Sequence, residues 1–345
     1  MSAAPRYHRQ ALLPQIGPAG QDRLRAARVL LVGCGALGTV VAEQVVRGGV
    51  GHLRLCDRDV VELTNLQRQT LFEESDAASG LPKAVAAARR LGAVNGEVSI
   101  DGRPLDVHAG NVEELARGFD LIIDGTDNVE TRYLLNDVAM KHKIPWVYGA
   151  CVGTTGRAMG ILPGKSPCLR CLFPEPPAPG ELPTCDTAGV LAPAAAIAAS
   201  LEVVEAMKIL VADPSAATTL ISFELWPMRF RAISTEGARR QECETCGQRA
   251  FRFLESTAAA SAAAVLCGRD TVQVRPASNA AALDLPAAAA RLVSAGTVQQ
   301  SDFFVRCDLV HERVSITLFP DGRALVHGTR DPAAARSIYA RYIGV

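Results

Sequence analysis

The chain has 345 residues, with 36 Lys and Arg against 36 Asp and Glu and 48% hydrophobic residues. That length is about two domains, ample for a core without disulfide staples. Charge balance excludes both the basic excess of a general nucleic-acid binder and the acidic excess of a disordered tail.

Residues 1–10, MSAAPRYHRQ, lack the apolar core of a secretory signal. The longest Ala/Val/Leu-rich run, Gly189 to Ala212, contains Pro193, Glu202, Glu205 and Lys208, too much charge for a membrane span. The expectation is a soluble cytoplasmic protein with no membrane partner. In that compartment ten cysteines point to metal ligation or thiol chemistry rather than a disulfide framework.

The first strong pattern runs from Arg28 to Gly38. Val29 to Val32 is a short apolar run, the mark of a buried parallel strand, and Gly33, Gly35 and Gly38 follow at G-x-G-x-x-G spacing. A helix is expected over 39–47 and a strand over 53–56, ending at Asp57. An acid about 20 residues past the glycines of such a unit completes the dinucleotide-fold fingerprint; the glycines alone are a weak signal. Strands over 97–100, 121–124 and 145–148 alternate with helices over 112–117 and 130–143. This predicts an α/β, Rossmann-like doubly wound sheet with its functional groups at the carboxyl ends of the strands.

Residues 163–183, rich in Pro and Gly, read as an irregular crossover loop. A helix over 197–211 and two antiparallel strands, 222–226 and 230–233, then extend the sheet. Composition shifts near residue 250. The Ala-rich stretch 257–264 reads as helix or linker, and strands 271–274 and 303–310 flank a helix at 285–292. A hairpin of 314–319 and 324–327 turns at Pro320, Asp321 and Gly322, and a helix closes at 332–342. The expected domains are 1–250, carrying the nucleotide fold and the cysteine pairs, and 251–345, a small α+β domain.

Cys168 with Cys171, and Cys243 with Cys246, form two C-x-x-C pairs. Together they offer four thiolates, a tetrahedral set that suits zinc, and a closed four-ligand site is structural. The competing readings are two unrelated pairs or a redox motif, and neither pair opens a helix after a thioredoxin-like strand. Cys34, Cys56 and Cys151 read as small core residues.

Behind Asp57 and Asp59 stand Asn65, Arg68 and Gln69. Arg68 can clamp phosphate oxygens, with Asn65 orienting them. Lys83, after Gly80 and Pro82, offers a point charge to phosphates or is a solvated lysine. Thr126, Asp127 and Asn128 follow a strand end: Asp127 can hold magnesium, and Asn128 can line the site or cap the next helix.

Arg6, Tyr7, Arg9 and Gln10, the glycine turn, Asp57-x-Asp59 with Asn65-Leu-x-Arg68-Gln69, Gly80-x-Pro82-Lys83, Thr126-Asp127-Asn128 and the split cysteine pairs occur in one order. Over about residues 5 to 250 the chain resembles the MoeB/ThiF family of ubiquitin-like-protein activating enzymes. The resemblance implies an adenylyltransferase that uses ATP and magnesium to adenylate the C-terminal Gly-Gly of a ubiquitin-like sulfur-carrier protein, releasing pyrophosphate. It puts ATP against Gly33, Gly35, Ala36 and Gly38, the ribose on Asp57, and the phosphates near Asn65, Arg68 and Lys83, with Asn128 also among the nucleotide-binding residues. Asp127 becomes the magnesium ligand, and zinc falls to the four cysteines. Ala36 stands where relatives often have Gly.

The resemblance also implies a homodimer in which Arg9 reaches the neighbouring subunit's phosphates. Pro14, Gly17, Pro18 and Gly20 argue against one continuous helix behind Arg9, leaving that segment free to reach away from its own sheet. Cys185 matches a cysteine that, in some members, links covalently to the carrier; otherwise it is a loop cysteine. Residues 252–345 are the departure, because longer relatives often carry a rhodanese domain there. This tail is short for one, and neither Cys267 nor Cys307 starts an anion-cradling loop, so a separate sulfur donor is expected. An NAD-dependent dehydrogenase lacks its acid/base here. The zinc pairs and neutral charge disfavour a dehydratase of a modified tRNA nucleoside. The intact Arg9, Arg68, Lys83 and Asp127 disfavour a non-catalytic scaffold. The residues do not choose among thiamine, molybdopterin and other sulfur-carrier routes.

Overall fold

The apolar run behind the first prediction becomes β1 (Arg28–Val32), with all but its first residue buried. In this computed structural model, residues 5–177, 181, 185–255, 263–265, 270–275 and 283–344 are described, with backbone alone at 5, 185, 186 and 263–265. The chain divides into two units between Ser256 and Thr257.

In the first unit, α1 (His8–Ala11) and α2 (Gly17–Ala26) precede β1. Then come α3 (Ala36–Arg47), β2 (His52–Cys56), α4 (Glu74–Ser79), α5 (Lys83–Val94), β3 (Ser99–Arg103), α6 (Val112–Ala116), β4 (Leu121–Asp124) and α7 (Val129–His142). The unit continues with β5 (Trp146–Val152), β6 (Thr155–Ile161), α8 (Leu169–Leu172), α9 (Cys185–Ala188), α10 (Ala192–Val211), β7 (Thr219–Leu225), β8 (Met228–Ser234) and α11 (Arg252–Glu255). The sheet order is β3-β2-β1-β4-β5-β6-β7-β8. The first five strands are parallel and the last three antiparallel. β1 sits between β2 and β4, so the strand order reverses there, where open α/β sheets bind ligands. Helices α3 and α10 pack in the apolar layer on one face, and α7 lies in the layer on the other.

Several boundaries differ from the sequence reading. α10 starts at Ala192 rather than 197, because Pro193 occupies the first turn, where its missing N–H costs nothing. β3 starts at Ser99 rather than 97, because Glu97 is held in a turn by Asn95 Oδ1. β5 runs on beyond Tyr148 and pairs with the unforeseen β6. Its glycines serve packing: a Cβ at Gly149 would lie 1.9 Å from Glu202 Oε1, and one at Gly156 would lie 2.3 Å from the Phe223 ring.

The second unit holds β9 (Ala263–Val265), β10 (Thr271–Val274), α12 (Leu285–Leu292), β11 (Gly296–Gln300), β12 (Val305–Leu309), β13 (Val314–Leu318), β14 (Ala324–His327) and α13 (Pro332–Tyr342). Its antiparallel sheet is ordered β11-β12-β13-β14-β10-β9. Val272, Val305, Cys307, Ile316 and Val326 bury against Leu292 and Ile338 of its helices. The hairpin turn closes through Gly322 N donating to Phe319 O at 3.0 Å. Cys307 is thus a core residue, and Cys267 lies outside the described residues. No helix among the described residues is long and apolar enough to cross a membrane.

Candidate active site

The glycine turn joins β1 to α3 at the strand-order reversal, and its three glycines do different things. Gly33 has φ +94°, and its N–H donates to Cys56 O of the neighbouring strand at 2.8 Å. Gly38 lets α3 press onto the turn, since a Cβ there would lie 2.0 Å from Gly33 O. At Gly35 an added Cβ would meet nothing within 4 Å. The turn is therefore closed by packing at its first and third glycines and open at its second. Ala36 begins α3, so the helix N-terminus and its unpaired N–H groups face that opening.

Asp57, just past β2, locks the turn from the other side. One carboxylate oxygen accepts from Cys34 N at 2.6 Å and the other from Asp59 N at 2.7 Å. Burial pushes this carboxyl up, with Lys83 pulling the other way. Lys83 opens α5 with its side chain buried and its Nζ 3.3 Å from Asp59 Oδ2, so it is no solvated lysine. Burial opposes the charge of Arg58, but Asp106, Asp59, Asp127 and Asp57 outweigh it and hold the guanidinium above its ordinary range. The glycine turn is thus flanked by a compact alternation of carboxylates and cations.

Asn65 is fully buried; its Oδ1 accepts from Glu62 N at 3.0 Å, and its Nδ2 has no partner among the described residues. A buried amide donor without an acceptor is costly and suits an anionic oxygen. Arg68 is half-buried and folds back, with Nη1 donating to Thr64 O at 2.8 Å.

Beyond β4, a residue pair that the motif reading passed over shapes the loop. Asp124, fully buried at the strand end, accepts from Thr126 N and Oγ1 at 2.9 and 2.7 Å and from Arg132 Nε at 3.0 Å. Arg132 also donates to Thr126 O at 2.6 Å, closing a clasp around Thr126. Asp127, next in the chain, is exposed. Asn128 takes the capping alternative: its Oδ1 accepts from Thr131 N at 3.2 Å at the start of α7. Behind the sheet, Glu202 of α10 is fully buried against Gly149, with neither oxygen partnered among the described residues. Burial and then Asp124 push its carboxyl well above the carboxylate range.

The two cysteine pairs meet. The four sulfurs of Cys168, Cys171, Cys243 and Cys246 all lie within 4.8 Å of one another. Measured spacings are 3.9 Å for Cys168–Cys171, 3.6 Å for Cys168–Cys243 and 3.4 Å for Cys171–Cys246. Tetrahedral zinc with bonds of about 2.3 Å sets its sulfurs about 3.8 Å apart, so the donor set fits that metal. Arg240 N donates to Cys171 Sγ at 3.5 Å. Asp137 ties the second pair to α7 by accepting from Thr245 Oγ1 at 3.1 Å and Phe253 N at 2.8 Å.

Arg9 corrects the sequence reading. Its segment is not free to reach away from its own sheet, because it is fastened to the carboxyl ends of α3 and α5. Gln10 Nε2 donates to Gly48 O at 2.9 Å, and Arg6 Nη1 to Val94 O at 3.0 Å. Each helix begins at the site, at Ala36 or Lys83. Helices of this length run about 18 Å, so the exposed Arg9 sits roughly that far from its own glycine turn. Cys185 begins α9, and its side chain lies outside the described residues.

A doubly wound sheet with an open glycine turn, a buried lysine and an acidic loop at the strand-order reversal is a nucleotide-binding α/β architecture. Residues 7–245 match the ThiF family, and the chain belongs to it. It is 44% identical over 340 residues, 98% of this chain and 99% of the other, to the sulfur carrier protein ThiS adenylyltransferase of Bacillus subtilis. It is 40% identical over 249 residues to the sulfur carrier protein adenylyltransferase of Thermus thermophilus, covering 70% of this chain and 90% of that one. A crystal structure of E. coli MccB with MccA-N7isoASN shares the fold, with a TM-score of 0.63 at 22% identity over 72% of this chain and 75% of that one.

Proposed function

We propose that the chain is an adenylyltransferase acting on the C-terminal Gly-Gly carboxylate of a ubiquitin-like sulfur-carrier protein. The observation that carries this reading is the unfinished edge at β1: an open Gly35, a buried Asn65 donor without an acceptor among the described residues, and the Lys83 ammonium at a helix start. These features suit a triphosphate. Family membership and the relatives named for this activity support the same reading.

In the reaction a carrier carboxylate oxygen attacks the α-phosphorus of ATP. The bond to the β-phosphate bridging oxygen breaks, and pyrophosphate leaves. Positioning and charge neutralisation suffice for such a step. The glycine turn receives the phosphates through backbone N–H groups, and Asp57, besides locking the turn, takes a ribose hydroxyl. Asn65 Nδ2 and Lys83 bind phosphate oxygens; Arg68 swings from Thr64 O to join them. Asp127 would hold magnesium, which when bound neutralises phosphate charge; one carboxylate suits an ion that keeps most of its ligands from water and phosphate. Asn128 supports this loop from its cap position. Cys168, Cys171, Cys243 and Cys246 would hold a structural zinc.

Arg9, pinned at the far end of α3, serves the phosphates of a neighbouring copy, so the working unit is a homodimer. Cys185 is the residue for any covalent link to the activated carboxyl, with sulfur supplied by a separate donor in the cytoplasm.

Labelled pyrophosphate exchange into ATP tests the reaction. With a Gly-Gly-ended carrier and magnesium, exchange is expected, and Asp127→Ala should lower it about a thousandfold. Persistence of exchange in that variant removes Asp127 from the metal site, and no exchange with any carrier overturns the reading. Mixing Arg9→Ala with Asp127→Ala chains should restore one intact site per heterodimer. No recovery in verified heterodimers ends the trans role.

A further inference from the structure

Two fastenings bracket Arg9, a buried one at Tyr7 and a half-buried one at Gln10. On one side the Tyr7 ring, 3% exposed, lies on Gly49, where a Cβ would come within 2.5 Å of it. The Tyr7 hydroxyl accepts from Asn95 Nδ2 at 2.8 Å, and the same Nδ2 donates to Val46 O at 2.8 Å. On the other side Gln10 Nε2 donates both to Gln21 Oε1 at 2.8 Å and to Gly48 O at 2.9 Å. Gln21, also buried, donates to Gly48 O at 3.0 Å.

The carbonyls of Val46 and Gly48 belong to the carboxyl end of α3, where helix carbonyls lack intrahelical partners. Between the fastenings Arg9 is exposed, and no hydrogen bond or ion pair among the described residues engages its guanidinium. Apolar packing could hold a chain end here but would tolerate slippage. Directional bonds from an amide and a phenol fix one register. The arrangement uses buried and half-buried polar groups to hold the backbone of residue 9 in one place and leaves its side chain without a partner among the described residues.

We infer that Tyr7 and Gln10 are positioning residues for Arg9, aiming its guanidinium outward from the carboxyl ends of α3 and α5 toward the triphosphate of a neighbouring site. The inference rests on the reading of Arg9 given above. Loosening either fastening displaces a charge that works by position, and displacement of about 1 Å can cost up to about a hundredfold in rate.

The test is a double-variant cycle in pyrophosphate exchange. Gln10→Leu removes the amide at nearly constant volume. Tyr7→Phe keeps the ring, deletes only the hydroxyl, and serves as the second probe if Gln10→Leu lowers Tm. Each is expected to lower kcat about tenfold in the parent chain and to leave kcat unchanged where Arg9 is already Ala. Equal losses in both backgrounds would mean the fastenings act on the fold, and the inference falls. An Arg9→Ala loss without a loss from either fastening variant overturns positioning while leaving the role of Arg9 intact. An Arg9→Ala chain with full activity overturns the role of Arg9 itself, and positioning with it.

Discussion

At the cysteine cluster every sulfur has sulfur neighbours within 4.8 Å, and Arg170 beside it is enclosed by Glu175 at 3.0 Å and Glu244 at 2.7 Å. At the glycine turn a Cβ added at Gly35 would meet nothing within 4 Å among the described residues, and Asn65 Nδ2 has no partner among them. One unit thus holds a site that its own side chains complete and another that they leave incomplete. The first is a donor set for one ion, the structural zinc proposed above. The second needs a molecule, and its unsatisfied groups describe that molecule as anionic.

The cluster side of this comparison gives the largest expected effect. Cys168→Ser with Cys243→Ser should take zinc from one per chain to none by elemental analysis and cost on the order of 5 kcal/mol of stability. A parent protein without metal would break the comparison at once. The glycines sharpen the other side. Gly38→Ala drives a methyl into Gly33 O and should lose about 3 kcal/mol in a urea melt. Gly35→Val should melt close to the parent yet bind ATP more than tenfold more weakly by calorimetry, because its side chain occupies the ligand's place. Equal behaviour of the two variants would mean that the opening at Gly35 is not a ligand cradle.

A pH-dependent effect concerns Glu202, whose oxygens, like Asn65 Nδ2, have no partner among the described residues, but which is sealed behind the sheet. Its folded-state pKa lies above the ordinary value of 4.5 because burial disfavours the anion. The folded chain therefore holds this proton more tightly than the unfolded chain. Stability from this group is full below pH 4.5 and is lost as pH rises toward the folded value. Glu202→Gln lacks that loss, so its stability relative to the parent's should rise from pH 5 to pH 8, by about 1.4 kcal/mol per pH unit at most, read as a growing difference in Tm. A constant margin would place a partner on that carboxyl.

The glycine turn, Asp57, the cysteine pairs and the helical cap at Asn128 could all be read from the chain, because their geometry is set by near neighbours at fixed spacing. The Asp124–Arg132 clasp could not. It joins a strand end to the second turn of a helix, and neither residue belongs to a familiar motif. Glu202 and Glu205 were visible as charges in an apolar run, which argues against a membrane span but does not say that both turn inward. Glu205 caps Ala217 N at 3.0 Å, and Glu202 fills the hollow over Gly149. The β5–β6 hairpin was hidden by glycines whose purpose, room for Glu202 and Phe223, exists only once distant elements pack. The N-terminal fastening was hidden for a similar reason: Tyr7 and Gln10 stand in the motif, but what they bind, Asn95 and Gln21, arrives from elsewhere in the chain.

If Arg9 serves a partner's site as proposed, its place about 18 Å from the turn of its own chain would have a genetic consequence. In the proposed homodimer a chain altered at Arg9 alone, paired with a normal chain, would still offer its own turn to the normal partner's guanidinium and keep one working site of two. A chain altered at both Arg9 and Asp127 offers neither half. The normal partner would then point its arginine at a site without the proposed metal ligand, while its own intact site would receive no arginine. Expressed in excess, such a doubly altered chain would silence the normal gene product by pairing with it, so the phenotype would be dominant. Either single change, at equal dosage, would leave about half of the activity in mixed pairs.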